Sequence, residues 1–305
     1  MSKPLVIDQF TPSLQPGDGV SHSVFYTRRL LRKLGFNSTI YAGAIHESFA
    51  SMARPVKEYQ PGDDEALIVH HSILNDYEAQ VLSGNGKKIL AYHNITPDFF
   101  FEKDSQFAAV CGLGRQQLQQ WAGRFTYAYA DSSYNAEELL RLGYPQAVTL
   151  PLLLDFERIA SITPDLEIAS GLQDRFNILF VGRFAYNKCQ HELLDLIFEL
   201  ERKGFDNLRL ILAGATSNTE YEHHVRDKIQ RHEGAVEVIC TGPISDQALY
   251  GYYRAADLYV SLSNHEGFGI PLQEAVYNRV PVLAYRVGGI PTAVGDRGLT
   301  DSKSL

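Results

Sequence analysis

The sequence has few of the residues that build disulfide-stapled or zinc-binding proteins, since it contains three cysteines in 305 residues. Cys111, Cys189 and Cys240 are odd in number, widely spaced and not arranged in a paired Cys or His motif. Disulfide frameworks and structural zinc sites both need clustered ligands, so neither is indicated. This cysteine content favours a reducing compartment such as the cytosol.

Long hydrophobic runs are also missing. No stretch approaches the roughly 18 apolar residues that a membrane-spanning helix needs, and the first residues contain no long apolar leader segment. The sequence therefore predicts a cytoplasmic protein that is at most peripheral at the inner face of a membrane. Basic residues in the first predicted helix allow two interpretations, a solvated helix face or a lipid-facing patch; they are Arg28, Arg29, Arg32 and Lys33.

Excess positive charge is absent, because the formal net charge is -8 at pH 7. A general nucleic-acid binder normally carries a basic face, so no nucleic-acid partner is expected. No Gly-x4-Gly-Lys-Ser/Thr loop is present, which excludes a Walker-type nucleotide site. No strand is followed by a complete Gly-x-Gly-x-x-Gly with an acidic residue about 20 positions later. A nicotinamide-dependent oxidoreductase is therefore the less favoured alternative.

What the sequence does contain is a regular alternation of short apolar, β-rich runs with helical patterns, which is typical of parallel sheets covered by helices. A chain of 305 residues exceeds the size at which one core usually stops growing, so two α/β domains are predicted. A mixed polar stretch with Pro and Gly at 163–173 is the predicted linker, which gives domains at 1–168 and 174–305. Little sequence follows residues 288–291, so we expect the second domain to be incomplete at its C-terminus.

The individual elements follow from this pattern. In the first half it predicts strands at 5–8, 38–41, 66–70, 88–93, 126–130 and 148–150, and helices at 21–34, 107–121 and 135–142. In the second half it predicts strands at 177–181, 208–213, 236–240, 258–262 and 280–284, and helices at 190–203, 219–232, 246–255 and 269–277.

Two glutamates flank a glycine-rich turn near the end of the chain. Glu266 is predicted in the loop before a helix and Glu274 about two turns inside it. Carboxylates accept hydrogen bonds from vicinal hydroxyl groups, such as those of a sugar or a ribose. Glycines in the intervening turn let backbone N–H groups approach such a ligand. Taken alone, the pair is also compatible with a solvated structural loop.

Two cations occupy a second loop that opens a helix. Arg183 and Lys188 follow a predicted buried strand, and Gly182 lies directly before Arg183. A planar guanidinium, a compact ammonium and a helix N-terminus together suit a diphosphate group. A surface lysine beside a salt-bridged arginine is the alternative interpretation for this loop.

Weaker signals lie at other predicted strand ends. Gly214 directly follows the strand at 208–213. Thr241, Gly242, Pro243 and Ile244 follow the next strand, where backbone atoms can border a flat nucleobase. In the first domain, residues 16–22 resemble a phosphate loop but lack the full Rossmann spacing. His93 closes the strand at 88–93, where a lone histidine has either a structural or a pocket role.

These segments together resemble the C-terminal half of the retaining GT-B glycosyltransferases of family 4. The resemblance depends on the order and spacing of Gly182-Arg183, Lys188, Gly214, Thr241-Gly242, the run from Glu266 to Glu274, and the Val-Gly-Gly-Ile-Pro segment at 287–291. It is less marked in the first domain, where the glycine loop and His93 are the similar features.

The resemblance implies two Rossmann-like domains that face each other across a cleft, with a nucleotide-diphosphate-sugar donor held mainly by the second. By position, Arg183 and Lys188 would neutralise the diphosphate, Glu266 would bind sugar hydroxyls, and Glu274 would bind the ribose. His93 would face the transferred sugar. The donor would also contact Gly17 and Gly19 of the first domain and, in the second, Gly182, Gly214, Thr241, Gly242, Pro243, Ile244, Gly267, Phe268, Gly269 and Ile270.

The family's chemistry keeps the anomeric configuration of the donor and uses no metal, in agreement with the absence of an Asp-x-Asp motif in the relevant segments. The expected activity is transfer of a sugar to a saccharide or lipid-linked acceptor, in surface polysaccharide synthesis. No cofactor is expected beyond the nucleotide-sugar co-substrate. A nucleotide-sugar-binding fragment without turnover is the alternative that the short C-terminal end suggests.

Overall fold

The computed structural model describes residues 5–62, 65–101, 105–152, 154–216 and 218–303. The chain forms two compact units, Met1–Asp155 and Phe156–Leu305. Each unit is a parallel sheet with helices between its strands, which confirms the predicted fold class of two doubly wound α/β domains. No helix in the described ranges combines the length and the apolar character needed to cross a bilayer.

The N-terminal unit alternates strands and helices from its first described residues. Its elements are β1 Ile7–Leu14, α1 Gly19–Lys33, β2 Ile40–Ile45, β3 Arg54–Pro55, β4 Ala66–His71, α2 Glu78–Val81, β5 Lys87–Tyr92, α3 Gln106–Gln120, β6 Tyr127–Ala130, α4 Ser133–Arg141 and β7 Ala147–Thr149. Short 3-10 turns lie at Glu47–Phe49, Val56–Glu58 and Asp98–Phe100.

The C-terminal unit begins with two short helices before its first strand. Its elements are α5 Phe156–Ser161, α6 Leu166–Gly171, β8 Phe176–Val181, α7 Gln190–Arg202, β9 Leu208–Ala213, α8 Thr219–Gln230, β10 Glu237–Gly242, α9 Asp246–Ala255, β11 Leu258–Ser261, α10 Ile270–Tyr277, β12 Val282–Tyr285, α11 Ile290–Val294 and β13 Leu299–Thr300. A 3-10 turn at Tyr186–Lys188 lies between β8 and α7.

Both sheets reverse their direction of winding once. Among the described residues, the first sheet has the strand order β3-β2-β1-β4-β5-β6-β7 and the second has β10-β9-β8-β11-β12-β13, with parallel pairing. The reversals lie between β1 and β4 and between β8 and β11. Ligands of open parallel sheets bind outside the carboxyl ends of the strands at such reversals. The loops after these four strands are therefore the places to search for a site.

Successive residues along the strands of the second sheet are buried on opposite faces, because strand side chains alternate with a period of two. Phe180 of β8 packs with Leu193 of α7 on one face. Leu179 packs with Tyr253 of α9 and Leu272 of α10 on the other. A fully covered sheet leaves its edges as the places where polar side chains reach a ligand.

The first strand differs from its prediction. It was expected at 5–8, but β1 runs from Ile7 to Leu14 and pairs with β2 as far as Leu14 opposite Ile45. Polar Gln9 and Thr11 interrupt the apolar pattern, although both are buried in the folded unit. Periodicity in hydrophobicity cannot detect buried polar positions, so the strand prediction ended too early.

The predicted linker at 163–173 contains helix α6, and the division between units falls after Asp155. Asp165 caps α6 by accepting hydrogen bonds from the N–H groups of Glu167 and Ile168. The Asp165 N–H donates to the Gln247 carbonyl at 2.9 Å, which ties this segment to the C-terminal unit. Most of the surface of α6 is polar and exposed, and its buried side is narrow. The apolar pattern was therefore too weak to predict a helix here.

Helix α1 uses its cations within the N-terminal unit. Arg29 pairs with Asp155 at 2.9 Å, and Arg32 donates to the Ser38 carbonyl at 2.7 Å. Arg28 donates to the Met52 carbonyl. These contacts favour the structural interpretation of the basic cluster over a lipid-facing patch.

Two glycines of α3 provide a matched test of the packing in the N-terminal unit. A Cβ added to Gly114 would lie 2.7 Å from the Leu74 backbone nitrogen, whereas one added to Gly112 would lie 3.5 Å from the nearest Asp98 side-chain atom. Backbone atoms cannot move aside, so we expect Gly114→Ala to lower the free energy of unfolding by about 1–3 kcal/mol.

Gly112→Ala is the control, because it gains helix propensity without a clash. We expect it to be neutral or to raise the free energy of unfolding by up to about 1 kcal/mol. Urea denaturation followed by circular dichroism measures both variants. Equal effects of the two substitutions would contradict the packing described here.

Candidate functional site

The reversal of the second sheet brings Lys188 and Glu266 into direct contact. Lys188 lies in the 3-10 turn after β8, and Glu266 lies in the loop after the neighbouring strand β11. Lys188 Nζ donates to Glu266 Oε2 at 2.7 Å, and the two side chains are 18% and 12% exposed. The Asn264 N–H donates to the Asn187 carbonyl at 2.8 Å, so the backbones of the two loops are joined as well.

Two glycines for which no individual role was predicted pack against the backbone of the Glu266 loop. The Gly289 N–H donates to the Glu266 carbonyl at 2.8 Å. A Cβ on Gly288 would lie 2.1 Å from the Glu266 carbonyl oxygen, and one on Gly289 would lie 2.1 Å from that of Gly267. Only glycine allows this approach, so the Gly-Gly pair in the 287–291 segment is the sequence signal for it.

The turn between the two glutamates presents backbone rather than side chains. Phe268 is only 5% exposed. Gly269 has φ 103° in the left-handed region and occupies the position before α10, whose first residue is Ile270. A non-glycine residue would be strained at this φ. The segment therefore directs Glu266 to the loop and Glu274 to the helix, as predicted.

A second close approach joins the loops after β8 and β9. A Cβ on Gly214 would lie 2.3 Å from the Gly182 carbonyl oxygen and 3.4 Å from the Arg183 nitrogen. Gly214 has φ 148°, which also favours glycine. The Arg183 side chain is exposed, and its carbonyl accepts a hydrogen bond from Gln190 Nε2 at 2.8 Å. Arg183 and Lys188 thus begin and end the same short loop.

Glu274 lies between two tyrosines of α9. Tyr250 Oη donates to Glu274 Oε1 at 3.1 Å, and Tyr253 Oη lies 3.1 Å from Oε2. Tyr253 Oη also lies 2.9 Å from the Pro271 carbonyl oxygen. A hydroxyl carries one proton, so an ionised Glu274 would leave one of these two acceptors without a donor.

A protonated Glu274 satisfies every group in this cluster. Its Oε2–H donates to the Tyr253 oxygen, Tyr253 donates to the Pro271 carbonyl, and Tyr250 donates to Oε1. Burial raises the pKa of Glu274, whereas the two tyrosine hydroxyls and the charge of Arg158 lower it. The hydrogen-bond count and the direction of the pKa shift therefore both favour the protonated form of this carboxyl group.

Strand β10 extends further than predicted. It reaches Gly242 rather than ending at residue 240, and its register against β9 shifts between Cys240 and Gly242. Thr241 and Gly242 therefore form the end of the strand, and Gly242 has φ 67°. Thr241 Oγ1 donates to the Gly242 carbonyl at 2.8 Å. Pro243 is exposed and Ile244 is half-buried just beyond this edge.

At the first sheet's reversal, the glycine loop of 17–19 forms the start of α1. Gly17 has φ 72°, and Gly19 is the first helical residue. The Asp18 carboxylate between them caps the helix, accepting from the Ser21 N–H at 3.0 Å and the Ser21 hydroxyl at 2.7 Å. An anion bound there would compete with this carboxylate for the same N–H groups.

His93 lies within a row of polar side chains that crosses four adjacent strands. His93 Nδ1 lies 2.8 Å from Asp131 Oδ2, and His93 Nε2 lies 2.7 Å from His70 Nδ1. His70 Nε2 lies 3.0 Å from Gln9 Oε1. The row thus links β1, β4, β5 and the end of β6 at the carboxyl edge of the sheet.

Burial determines the charge of one member of this row. Burial, with His93 beside it, lowers the pKa of His70 well below its ordinary value and favours its neutral form, which carries one ring proton. If His70 Nδ1–H donates to His93 Nε2, then His70 Nε2 needs a donor, and the Gln9 amide nitrogen, which has no partner among the described residues, supplies one when the amide is turned over. If His93 Nε2–H donates to His70 Nδ1, then His70 Nε2–H donates to Gln9 Oε1 as placed.

Comparison with known proteins finds similarity that includes the second unit and extends beyond it. Residues 166–302 match the family model for glycosyl transferases group 1. A D-inositol 3-phosphate glycosyltransferase of Kineococcus radiotolerans is 32% identical over 208 residues, which is 65% of this chain and 47% of that protein. A protein of the same name from Corynebacterium aurimucosum is 34% identical over 126 residues, or 40% of this chain and 30% of that one. The chain thus spans between about a third and a half of the length of these relatives.

Solved structures share the fold of both units. Anabaena HepE in complex with UDP-glucose has a TM-score of 0.72 at 17% identity, covering 97% of this chain and 85% of that chain. A structure of trehalose-6-phosphate from Escherichia coli, bound with UDP-2-fluoro glucose, has a TM-score of 0.65 at 11% identity, covering 96% of this chain and 87% of that chain. With the two parallel sheets, these neighbours identify the fold as GT-B.

Residues 166–302, which match the group 1 model, include the predicted site residues of the second unit. The structure brings Lys188 and Glu266 together, and Tyr259, whose pKa is raised by burial and then by Glu266 and Glu274, lies near both carboxyl groups. Sequence reasoning missed Tyr250 and Tyr253, the partners of Glu274. Their spacing of three positions on the helix predicted at 246–255 was the available signal.

Glu274→Gln tests the protonation of the cluster. The amide nitrogen takes the place of the carboxyl O–H as a donor to Tyr253, so the variant keeps the hydrogen bonds of the protonated form. Because the folded pKa of Glu274 is raised above 4.5, the native state keeps the proton that the unfolded state loses. The stability that this group contributes is complete below pH 4.5 and is lost as the pH rises through the folded pKa.

We therefore expect the free energy of unfolding of the wild type to fall relative to that of Glu274→Gln as the pH rises above 4.5. Urea denaturation of both proteins between about pH 4 and 8 measures the difference, since linkage relates it to the bound proton. A difference that stays constant over this range would show that Glu274 has an ordinary pKa in the native state.

Proposed function

We propose that this protein is a glycosyltransferase that moves a sugar from a nucleotide-diphosphate-sugar donor to a hydroxyl group of a saccharide or lipid-linked acceptor, in surface polysaccharide synthesis. The observation that carries the proposal is the contact between Lys188 and Glu266 at the reversal of the second sheet. It lies in the region that matches glycosyl transferases group 1, and proteins of similar fold have been solved with UDP-sugars.

Lys188 and Arg183 would neutralise the diphosphate of the donor. An ammonium group has three donors, and one contact to Glu266 leaves two for phosphate oxygens. Arg183, exposed at the start of the loop, adds a planar pair of donors. Gly182 and Gly214 bring backbone close to this loop. Partial burial strengthens the attraction, because screening by water is reduced.

Glu266 and Glu274 would bind the sugar and the ribose. Glu266 uses Oε2 for Lys188, which leaves Oε1 to accept from sugar hydroxyls. The backbone of residues 267–270 would contact the sugar from the same turn. Glu274 would accept from the ribose hydroxyls. The nucleobase would lie against the segment at the end of β10, formed by Thr241, Gly242, Pro243 and Ile244.

The N-terminal unit would bind the acceptor. As the family resemblance implies, Gly17, Gly19 and His93 of this unit would also contact the donor. Both ring nitrogens of His93 already have partners, at 2.7 and 2.8 Å. A sugar hydroxyl at His93 would therefore share one of these hydrogen bonds. We propose that any membrane contact is peripheral.

In the proposed reaction, the bond from the anomeric carbon to the diphosphate oxygen breaks as the acceptor oxygen bonds to that carbon. The acceptor proton passes to the leaving phosphate oxygen, and the donor's anomeric configuration is retained. Negative charge grows on the diphosphate in the transition state, so fixed cations beside it lower the barrier. Lys188 and Arg183 supply this charge, and we propose that no metal ion or further cofactor takes part.

Lys188→Ala and Glu266→Ala test the proposal after thermal-shift screening of UDP-, GDP-, ADP- and dTDP-sugars has identified the donor. Release of nucleoside diphosphate from that donor is then measured. We expect each variant to lose at least about 100-fold in rate, because each removes a charged group beside the leaving diphosphate or the sugar. Near-ultraviolet circular dichroism checks that each variant is folded.

Arg202→Ala is the control, since it removes a basic residue of α7 that pairs with Glu199 on the surface. It should keep the wild-type rate. Wild-type rates in both Lys188→Ala and Glu266→Ala would refute the assignment. Donor binding by calorimetry without turnover in the wild-type chain would favour the alternative function, a nucleotide-sugar-binding fragment.

A further inference from the structure

The tyrosines beside Glu274 form a geometric clamp on its carboxyl group. Tyr250 and Tyr253 lie three positions apart in α9, so they project from one face of that helix. Each hydroxyl contacts a different carboxyl oxygen, Oε1 for Tyr250 and Oε2 for Tyr253, both at 3.1 Å. Tyr250 is 3% exposed and Tyr253 is fully buried, so neither ring has room to move.

This clamp removes a freedom that a glutamate normally has. The terminal torsion of a glutamate is broad and roughly two-fold, so an unsupported carboxyl group rotates easily about its last bond. Two contacts on opposite oxygens fix the plane of the carboxyl group. The remaining lone pairs of both oxygens then point in set directions, which suits two acceptor positions at a fixed spacing.

Tyr253 is itself held in place from two sides. Its hydroxyl reaches the Pro271 carbonyl in the first turn of α10 at 2.9 Å, and its ring stacks on Tyr259 with centroids 6.4 Å apart. Tyr259 Oη donates to the Val181 carbonyl at 3.2 Å, directly before Gly182. A chain of contacts thus connects the loop of Arg183 and Lys188 with the orientation of the Glu274 carboxyl group.

We propose that Tyr250 and Tyr253 are positioning residues for ribose recognition, holding Glu274 so that its two oxygens accept from the vicinal 2′- and 3′-hydroxyls of a nucleotide. The inference depends on the proposed function, because it assigns a ribose to Glu274. It adds that the preference for a ribonucleotide is set by two hydroxyl groups of α9 that do not touch the ligand.

The charged groups around the clamp do not replace these contacts. Arg158 of α5 and Asp246 of α9 both act on Glu274 electrostatically, but they pair with each other at 2.7 Å. Tyr259 of β11 makes its hydrogen bond with the Val181 carbonyl rather than with Glu274. The direction of the carboxyl plane therefore depends on the two tyrosine hydroxyls.

The test compares ribose and dideoxyribose binding. Calorimetry measures the dissociation constants of UDP, ADP and GDP, and of the 2′,3′-dideoxy form of each, for the wild type and for Tyr250→Phe/Tyr253→Phe. Phenylalanine keeps the ring packing and removes only the hydroxyl groups. We expect the double variant to bind the preferred ribonucleotide about tenfold more weakly, which is about 1.4 kcal/mol. Binding of its dideoxy form should change less than about twofold, within the usual error of additivity.

Tyr252→Phe, on the same helix but outside the clamp, is the control and should leave both dissociation constants unchanged. If the double variant does not fold, Tyr250→Phe alone is used, because Tyr253 has the additional Pro271 contact. Equal weakening of both nucleotide forms, or no weakening of either, would overturn the clamp. Binding of dTDP but of none of the three ribonucleotides would also overturn the clamp, because dTDP has no 2′-hydroxyl. Failure of the wild type to bind any of the three ribonucleotides or dTDP would instead contradict the proposed function and remove the inference with it.

Discussion

The contact between Lys188 and Glu266 exists because a parallel sheet changes its direction of winding between β8 and β11. These residues are 78 positions apart in the chain, and the strands that precede them are neighbours. The backbone bond from Asn264 to Asn187 and the glycines at 288 and 289 then hold the two loops together. Every other feature of the candidate site is placed relative to this pair.

The ion pair also has a chemical consequence. Lys188 and Glu266 each compensate the charge of the other while both are mostly buried. A buried charge without a partner is costly, so the pairing lets both side chains remain at the sheet edge without a ligand. Within the part of the chain that the structure describes, this contact uses one donor of the ammonium and one oxygen of the carboxylate.

The two units use the same topology with different electrostatics. At the reversal of the second sheet, cations and carboxyl groups meet. At the reversal of the first, Gln9, His70 and His93 form a polar row that ends on Asp131, and Asp18 occupies the N-terminus of α1. The described residues of this row and the Asp18 cap include no lysine or arginine, which suits an uncharged polar ligand better than a phosphate. This difference agrees with the proposed division into an acceptor side and a donor side.

Local patterns in the sequence were sufficient for the fold class and for most elements of the second unit. The apolar stripe of α7, including Leu193, Leu194 and Ile197, is buried as its 3.6-residue period predicts. The same reasoning ended β1 too early, before Gln9 and Thr11, and did not predict α6. In both places the apolar pattern is weak, because β1 buries polar residues and most of α6 is exposed.

By itself the sequence determined which chemical groups are available and where along each element they stand, since periodicity and turn chemistry are short-range. It placed Glu266 in a loop, Glu274 in a helix, and Arg183 and Lys188 after a strand. Only the tertiary structure decided that Lys188 pairs with Glu266, that two tyrosines hold Glu274, and that His93 shares its nitrogens with His70 and Asp131. These partners come from strands and helices brought side by side by the sheet, so their contacts depend on the order of the strands and not on local pattern.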